Sequence, residues 1–391
     1  MSPAALSTFA PWLDRLDRWQ PGHRFCGGLL AALVALAVTG CAVRPPDQPN
    51  SLNLSRLDQQ AQALARRGFA GQILVATPEG IAFLKGYGLR KPNQPERIAR
   101  HHVMPLASVT KPLTASLVLD LAAGGLIELD HPIGDYLDAL DPAWQHVPIR
   151  YFLSHQAGLP AEIVNRDWPG EPRFEPVDRD AFIARLAHFP PDHPPGEGFN
   201  YSNVGYGLMA ALVETVTGQT FEQALASRLL APNHIEGLGF DRPAWGERQM
   251  VHGRQGQQDR GHYHDRPRLP DGLGFNLRGA GDLQAEPAAL AAWWQSIHQR
   301  QWLPSPWLDL WLEPVVEESD GSDYGLGLHF RSTDHGPVVG HTGGDFVFAI
   351  DWSWFRDHDV LVVISSADPR QEADLIRDRL HRALFSGRSF R

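Results

Sequence analysis

Ser108 and Lys111 stand three residues apart in the stretch LASVTKPLTA, and Lys111 is one of only three lysines in a 391-residue chain that otherwise draws its positive charge from arginine. A serine hydroxyl is a poor nucleophile at neutral pH and needs a base within hydrogen-bond reach. Residues i and i+3 of a helix share a face, so the two side chains can meet. A lysine serves as base when burial or neighbouring positive potential lowers its pKa. A helix N-terminus supplies that potential and also stabilises negative charge forming on the serine or the substrate oxygen. Alone, Ser-x-x-Lys is weak: with three lysines, about one chain in seven would carry it by accident.

Two further stretches strengthen it. In PPGEGFNYSNVGYG, Tyr201-Ser202-Asn203 follows a turn rich in proline and glycine and leads into an apolar helical pattern. A phenol here can relay a proton between nucleophile and leaving group, and the Asn203 amide can orient the lysine or bind a substrate carbonyl. Helix capping would account for Ser202 or Asn203 but has no need of Tyr201. In VVGHTGGDFVFAIDW, a strand-like run carries His341-Thr342-Gly343-Gly344. Glycines in a strand admit a ligand or another backbone, and they follow a side chain that can donate, accept or titrate.

Ser-x-x-Lys, then Tyr-x-Asn 93 residues on, then His-x-Gly after 140 more, resembles the signature of the penicillin-recognising serine hydrolases. That superfamily takes in class C β-lactamases, D,D-carboxypeptidases, D-aminopeptidases and related esterases. GQILVATPEGIAFLKGYG is similar to the family's first hairpin, IRYFLSHQAGLP to its stretch ending in Gly-Leu-Pro, and RGAGDLQAEPAALAAWW to its glycine-rich turn and helix; the likeness runs from about Gly71 to Asp368. The resemblance implies that Ser108 is the acylated nucleophile and Lys111 its base or proton relay. It makes Tyr201 the general acid/base, most of all in deacylation, with Asn203 positioning Lys111 and the substrate. It builds the oxyanion hole from the backbone N–H groups of Ser108 and Gly344, beside Thr342 and Gly343. No metal, nucleotide or other cofactor is implied. Many members carry Lys-Thr-Gly where this chain has His341. A histidine with an ordinary pKa near ~6.5 is mostly neutral at pH 7 and holds a substrate carboxylate less well than an ammonium. The departure favours an ester or amide substrate, of esterase or D-amino-acid peptidase type. Penicillin binding or β-lactamase activity is the alternative, and a non-catalytic envelope scaffold on the same fold is the rival from another class.

Other candidates carry less. His262, His264 and Asp265 in HYHD fit no closed zinc spacing and read as a solvated loop. The glycine pairs lack the dinucleotide-binding pattern. The tryptophans of WWQSIHQRQWLPSPWLDLW read as packing between helices.

The elements that must position these residues follow from periodicity. LNLSRLDQQAQALARRG predicts an amphipathic helix, the stretch either side of Pro78-Glu79-Gly80 a hairpin, and Thr110 to about Ala123 a mostly buried helix ending at Gly124-Gly125. From about 130 to 275 the pattern is helical between loops, with YFLSHQAG among the helical stretches. Strands return in YGLGLHF, VVGHTGGDFVFAIDWSWF and DVLVVISSAD, before a last helix. This order implies an α+β fold with a sheet assembled from both chain ends around an inserted, mainly helical lobe, and the resemblance implies that it is β-lactamase/transpeptidase-like, an antiparallel sheet flanked by helices. The sheet lobe is expected over about 53–105 and 278–388 and the helical lobe over about 106–277, together one hydrolase domain, 53–388.

Residues 1–40 contain an apolar run of about fourteen residues after Arg15, Arg18 and Arg24, too short to span a bilayer and suited to a signal-peptide core. Thr39-Gly40-Cys41 resembles a lipoprotein cleavage box, which implies acylation of Cys41 and a tether over 41–52. Ala42 after it fits an outer rather than an inner membrane, facing the periplasm. Cys26 and Cys41 are the only cysteines, so no thiol serves the rest of the chain. A formal charge of −10 with scattered basic residues excludes a nucleic-acid footprint. The expected partners are a small-molecule or peptide substrate and a membrane reached through the lipid; oligomeric state stays open.

Overall fold

The computed structural model describes residues 52–160, 174–241, 244–299, 302–345, 347–368 and 373–386. Cys41, the apolar run before it and nearly all of the tether lie outside the described residues. No helix among those described is long and apolar enough to cross a membrane.

The sheet draws strands from both chain ends. In chain order they are β1 (Gly71–Thr77), β2 (Gly80–Tyr87), β3 (Val316–Glu317), β4 (Asp323–Tyr324), β5 (His329–Thr333), β6 (Gly336–Gly344), β7 (Ala349–Phe355) and β8 (Val360–Ser366). They form one antiparallel sheet in the order β2-β1-β8-β7-β6-β5-β4-β3. The pairing β1–β8 closes the N-terminal hairpin onto the C-terminal meander, with Ile73 opposite Ile364. The hairpin turn falls at Pro78-Glu79, as its sequence predicts.

The strands read as continuous apolar runs because both sheet faces are covered. Ile73, Val75, Val362 and Ile364 point to one side, where they pack with Leu57, Ala61 and Leu64 of α1 (Leu54–Ala65) and with Leu380 of the C-terminal helix (Ala373–Leu384). Their neighbours Leu74, Ala76, Leu361 and Val363 point to the other side and join the main core. Burial of each such side chain is worth about 1.5–3 kcal/mol, so a one-residue register slip would invert every one of them.

The main core is built on α2 (Thr110–Ala123) and α3 (Asn203–Thr217), packed against each other. Helix α2 is buried nearly all round, the condition in which an amphipathic stripe disappears. The helix Pro287–His298, named α4, lies on β1 and β2; the C-terminal helix is accordingly α5. Trp293, Trp294 and Trp311 are fully buried in the main core, Trp293 stacking near Trp352 with ring centroids 5.0 Å apart. The tryptophan-rich segment therefore packs helices against the sheet. The helix expected over YFLSHQAG covers Ile149–Leu153 only. It stops because His155 takes φ +60° and Gly158 φ +81°, left-handed backbone that no α-helix continues through.

Candidate active site

Ser108 stands two residues before the start of α2. It lies in a 3₁₀ turn, Ala107–Val109, that runs directly into α2. Ala107, just before it, has φ +42°, a left-handed conformation that costs a residue with a Cβ about 1–3 kcal/mol. The strain sits at the bend that presents Ser108, half-exposed, at the mouth of a small cleft. Asn203, Tyr263, Gly281, Gly344 and Asp345 share that cleft.

Lys111, on the first turn of α2, is fully buried beneath the serine. Its Nζ lies 3.1 Å from Ser108 Oγ, 2.5 Å from Asn203 Oδ1 and 3.0 Å from the carbonyl oxygen of Ala280. The Asn203 oxygen and the carbonyl only accept, so they draw two hydrogens of the amine. In a neutral amine the position facing Ser108 is then the lone pair, which is where a base must hold it. The Lys111 Nζ also sits 4.8 Å from the centre of the Tyr201 ring.

Asn203 reaches Lys111 because it is the first residue of α3, and its side chain is not spent on capping: the residue before it, Ser202, makes no cap hydrogen bond either. The Ala280 carbonyl comes from a turn stitched to α2. Leu106 N–H donates to Leu283 O (2.8 Å), Leu283 N–H to Thr110 Oγ1 (3.3 Å), and Thr114 Oγ1 to Gly279 O (2.6 Å). Gly279 takes φ +70°, and a Cβ there would meet Tyr206 O at 2.9 Å. The buried Asp282 carboxylate accepts from Gly279 N–H at 3.0 Å and closes the turn. Burial pushes the Asp282 pKa up to about 7, with Arg278 working against the rise.

Burial drives the Tyr201 pKa up, with the neighbouring Ser108 hydroxyl working against the rise; the net effect keeps the phenol protonated. Its ring is held by His155, centroid to centroid 4.3 Å. His155 Nδ1 accepts the Ser202 N–H at 3.1 Å, so the same imidazole fixes both the ring and the backbone of the Tyr-Ser-Asn segment. Burial, then the nearby Lys111 charge, hold His155 well below the usual histidine range.

Thr342, Gly343 and Gly344 end strand β6 beside the serine turn. A Cβ on Gly343 would fall 2.5 Å from Leu106 O and 2.8 Å from Ser108 N, so glycine is what lets the strand lie against the Ser108 amide. His341 differs from its expected place. Its ring is 1% exposed rather than open to a substrate, with Nδ1 2.5 Å from Thr342 O and Nε2 3.1 Å from the Tyr324 hydroxyl. The carbonyl only accepts, so Nδ1 carries the hydrogen and Nε2 accepts from Tyr324. Burial, then neighbouring His329, keep this imidazole far below the ordinary pKa.

The structure thus brings together Ser108, Lys111, Tyr201 and Asn203, lays Thr342 to Gly344 alongside, and withdraws the His341 ring behind them. Sequence reasoning missed Ala280, a backbone acceptor with no side-chain signal, and also His155, Tyr324 and Tyr263. His155 was visible only as the histidine three residues before Gly158-Leu159-Pro160.

Residues 55–385 match the family described as "Beta-lactamase". The chain is 29% identical over 244 residues to esterase EstB of Burkholderia gladioli, covering 58% of this chain and 62% of the esterase. It is 23% identical over 295 residues to penicillin-binding protein 4* of Bacillus subtilis (strain 168), covering 71% and 63%. The chain thus spans less than two thirds of the length of these curated relatives. Among solved structures, the D-amino acid amidase from Ochrobactrum anthropi SV3 superposes with a TM-score of 0.73 at 19% identity, over 86% of this chain and 99% of the amidase. The octameric penicillin-binding protein homologue from Pyrococcus abyssi gives 0.72 at 18%, over 85% and 77%. At these identities the structural likeness is one of fold. With the match running from the first helix to the last and the three motif segments meeting at one cleft, the chain belongs to the beta-lactamase family.

Proposed function

We propose that the chain is a serine hydrolase that cleaves an ester or an amide through an acyl-enzyme on Ser108. The observation that carries this reading is the Lys111 amine, fully buried and 3.1 Å from Ser108 Oγ, with its other two directions taken by Asn203 and Ala280. Ser108 Oγ attacks the substrate carbonyl carbon and its proton passes to Lys111 Nζ. The oxyanion that forms faces the backbone N–H groups of Ser108 and Gly344. As the bond to the leaving group breaks, Tyr201 gives its proton to the departing oxygen or nitrogen, and the phenolate is stabilised by the Lys111 ammonium. Water then attacks the acyl-enzyme and returns a proton to Tyr201, while Lys111 returns its proton to Ser108. A phenol held protonated by burial suits the first of Tyr201's two roles.

The cleft favours a substrate without a carboxylate at the site. Among the described residues that line it, none bears an ammonium or guanidinium, and Asp345 bears a carboxylate. His341 is buried and neutral. This supports ester or neutral amide cleavage, in keeping with the names borne by the esterase and amidase relatives. Cys41, with the apolar run before it, supports placing the enzyme on a membrane facing the periplasm through a lipid anchor.

Intact-mass measurement of a form starting near Ser51, exposed to a fluorophosphonate, a penicillin and an activated ester, tests the reading. One adduct per chain is expected with the fluorophosphonate and the ester, and none with Ser108→Ala. Folded protein that takes no adduct from any reagent would leave the non-catalytic scaffold as the better account. Penicillin turnover as efficient as the best ester would overturn the substrate class.

A further inference from the structure

A second group of buried polar side chains lies in the segment 247–265, away from Lys111. His252 and His262 are 3% and 6% exposed, and their rings meet edge to face at 5.0 Å. His252 Nδ1 is 2.9 Å from Asp259 Oδ1. An ionised carboxylate only accepts, so Nδ1 carries a hydrogen, and in the neutral imidazole Nε2 keeps its lone pair. That lone pair has no hydrogen-bond partner, yet it lies 3.3 Å from Glu247 Oε1. Two electron-rich atoms at this separation repel unless a proton or a metal ion lies between them, and this pair does not meet hydrogen-bond geometry. His262 likewise leaves Nδ1 buried and unpartnered. One donor atom from each of Glu247, His252 and His262 lies within 4.8 Å of the other two.

We propose that Glu247, His252 and His262 form a binding site for a divalent transition-metal cation of the zinc type. Two imidazoles and one carboxylate suit zinc, cobalt or nickel far better than calcium or magnesium, which take oxygen ligands. Metal–nitrogen and metal–oxygen bonds of about 2.0–2.2 Å need only a small closure of the observed triangle. Asp259 supplies the carboxylate that metal-bound histidines characteristically have behind them. Lys91 stands 3.6 Å from Glu247 Oε1 and 3.5 Å from Asp259 Oδ2, on the carboxylate side, and competes for their charge. The HYHD spacing concealed the site because two of its ligands stand ten and fifteen residues before His262. His264 is engaged elsewhere, on Phe240 O at 2.9 Å.

The cation would tie the start of this segment to its end and so fix Tyr263, which follows the ligand His262 and forms a wall of the cleft with Ser108. The test uses tag-free, chelator-stripped protein titrated with zinc chloride by calorimetry and native mass spectrometry. One ion per chain is expected, with a rise in Tm on the order of 5 °C at a zinc concentration about 100 times Kd. Cobalt(II) should give the visible absorption of a four-coordinate site. Glu247→Gln changes an exposed carboxylate and leaves the fold intact, so it should abolish the one-to-one binding, as should His262→Gln. His264→Gln and Ser108→Ala should retain it. No bound zinc in the folded wild-type protein, or one ion retained by both Glu247→Gln and His262→Gln, overturns the assignment.

Discussion

The seam beneath Ser108 and the histidine pocket around His252 both bury polar atoms, and they differ in where those atoms find partners. Lys111 is answered from three directions, by Ser108 Oγ, Asn203 Oδ1 and Ala280 O. In the pocket, His252 Nε2 and His262 Nδ1 have no hydrogen-bond partner among the described residues. A buried polar group without a partner costs about 1–3 kcal/mol, so its presence asks for something from outside. The Lys111 amine is satisfied within the seam, which on the proposed reading is positioned to act on a carbonyl that arrives. The pocket is incomplete in itself. A satisfied amine suits a preorganised reaction site, and two unsatisfied imidazoles converging with a carboxylate suit a ligand.

If the seam works as one unit, removing either end should cost nearly everything. Ser108→Ala should lower kcat for an activated ester by at least about 10³-fold with Tm unchanged. Lys111→Met should lose comparable activity and also lower Tm, because Asn203 Oδ1 and Ala280 O are left without a donor. A Lys111→Met enzyme within tenfold of wild type would show that the amine is a structural tie and not the base. Tyr201→Phe should have a smaller effect, about 10²- to 10³-fold in kcat, with the acyl-enzyme accumulating on intact-mass spectra. Normal turnover by this variant would remove Tyr201 from the mechanism.

How much of this was legible depended on the kind of atom involved. The helix from Thr110 to about Ala123 could be placed, because its leucines recur every four positions and Gly124-Gly125 ends them. The Ser108–Lys111 pairing was legible too, since the two share a turn. The reach of Asn203 to Lys111 across 92 residues was open from its amide chemistry as one of two roles and chosen only by family resemblance, and the Ala280 carbonyl was not legible at all, because every residue has a carbonyl. His341 shows the opposite limit. Its side chain was visible, but whether the ring meets substrate depends on Tyr324 and His329, which β4 and β5 bring alongside. The helix expected through His155 failed because left-handed backbone at a non-glycine residue leaves no compositional sign.

The turn that supplies Ala280 gives the next effect, on stability rather than rate. Asp282 has its folded-state pKa raised to about 7 by burial, against about 3.9 unfolded. The folded state therefore binds the extra proton between these values. The contribution is fully present below about pH 4 and is lost as pH rises through about 7. Unfolding free energy should fall by up to a few kcal/mol across that window. Asp282→Asn keeps an acceptor for Gly279 N–H and should flatten that part of the profile, seen in urea midpoints measured from pH 4 to 8. An unchanged slope in the variant would mean that Asp282 is ionised in the folded protein at pH 5.

The smallest effect is the sharpest check on the comparison. Ser202 Oγ is also buried without a partner, and it lies between two residues of the seam. If every orphaned polar atom marked a ligand site, this one would too. Ser202 belongs to no cluster of metal-ligating side chains found among the described residues, unlike His252 with Glu247 and His262, so its hydroxyl is only a small uncompensated cost. Ser202→Ala should leave ester turnover within about twofold and change stability by no more than about 1 kcal/mol, in the stabilising direction. A loss above about 2 kcal/mol would show that the hydroxyl is satisfied in solution and that orphaned atoms are a poor guide in this chain. It would weaken the reading of the His252 pocket before any metal was added.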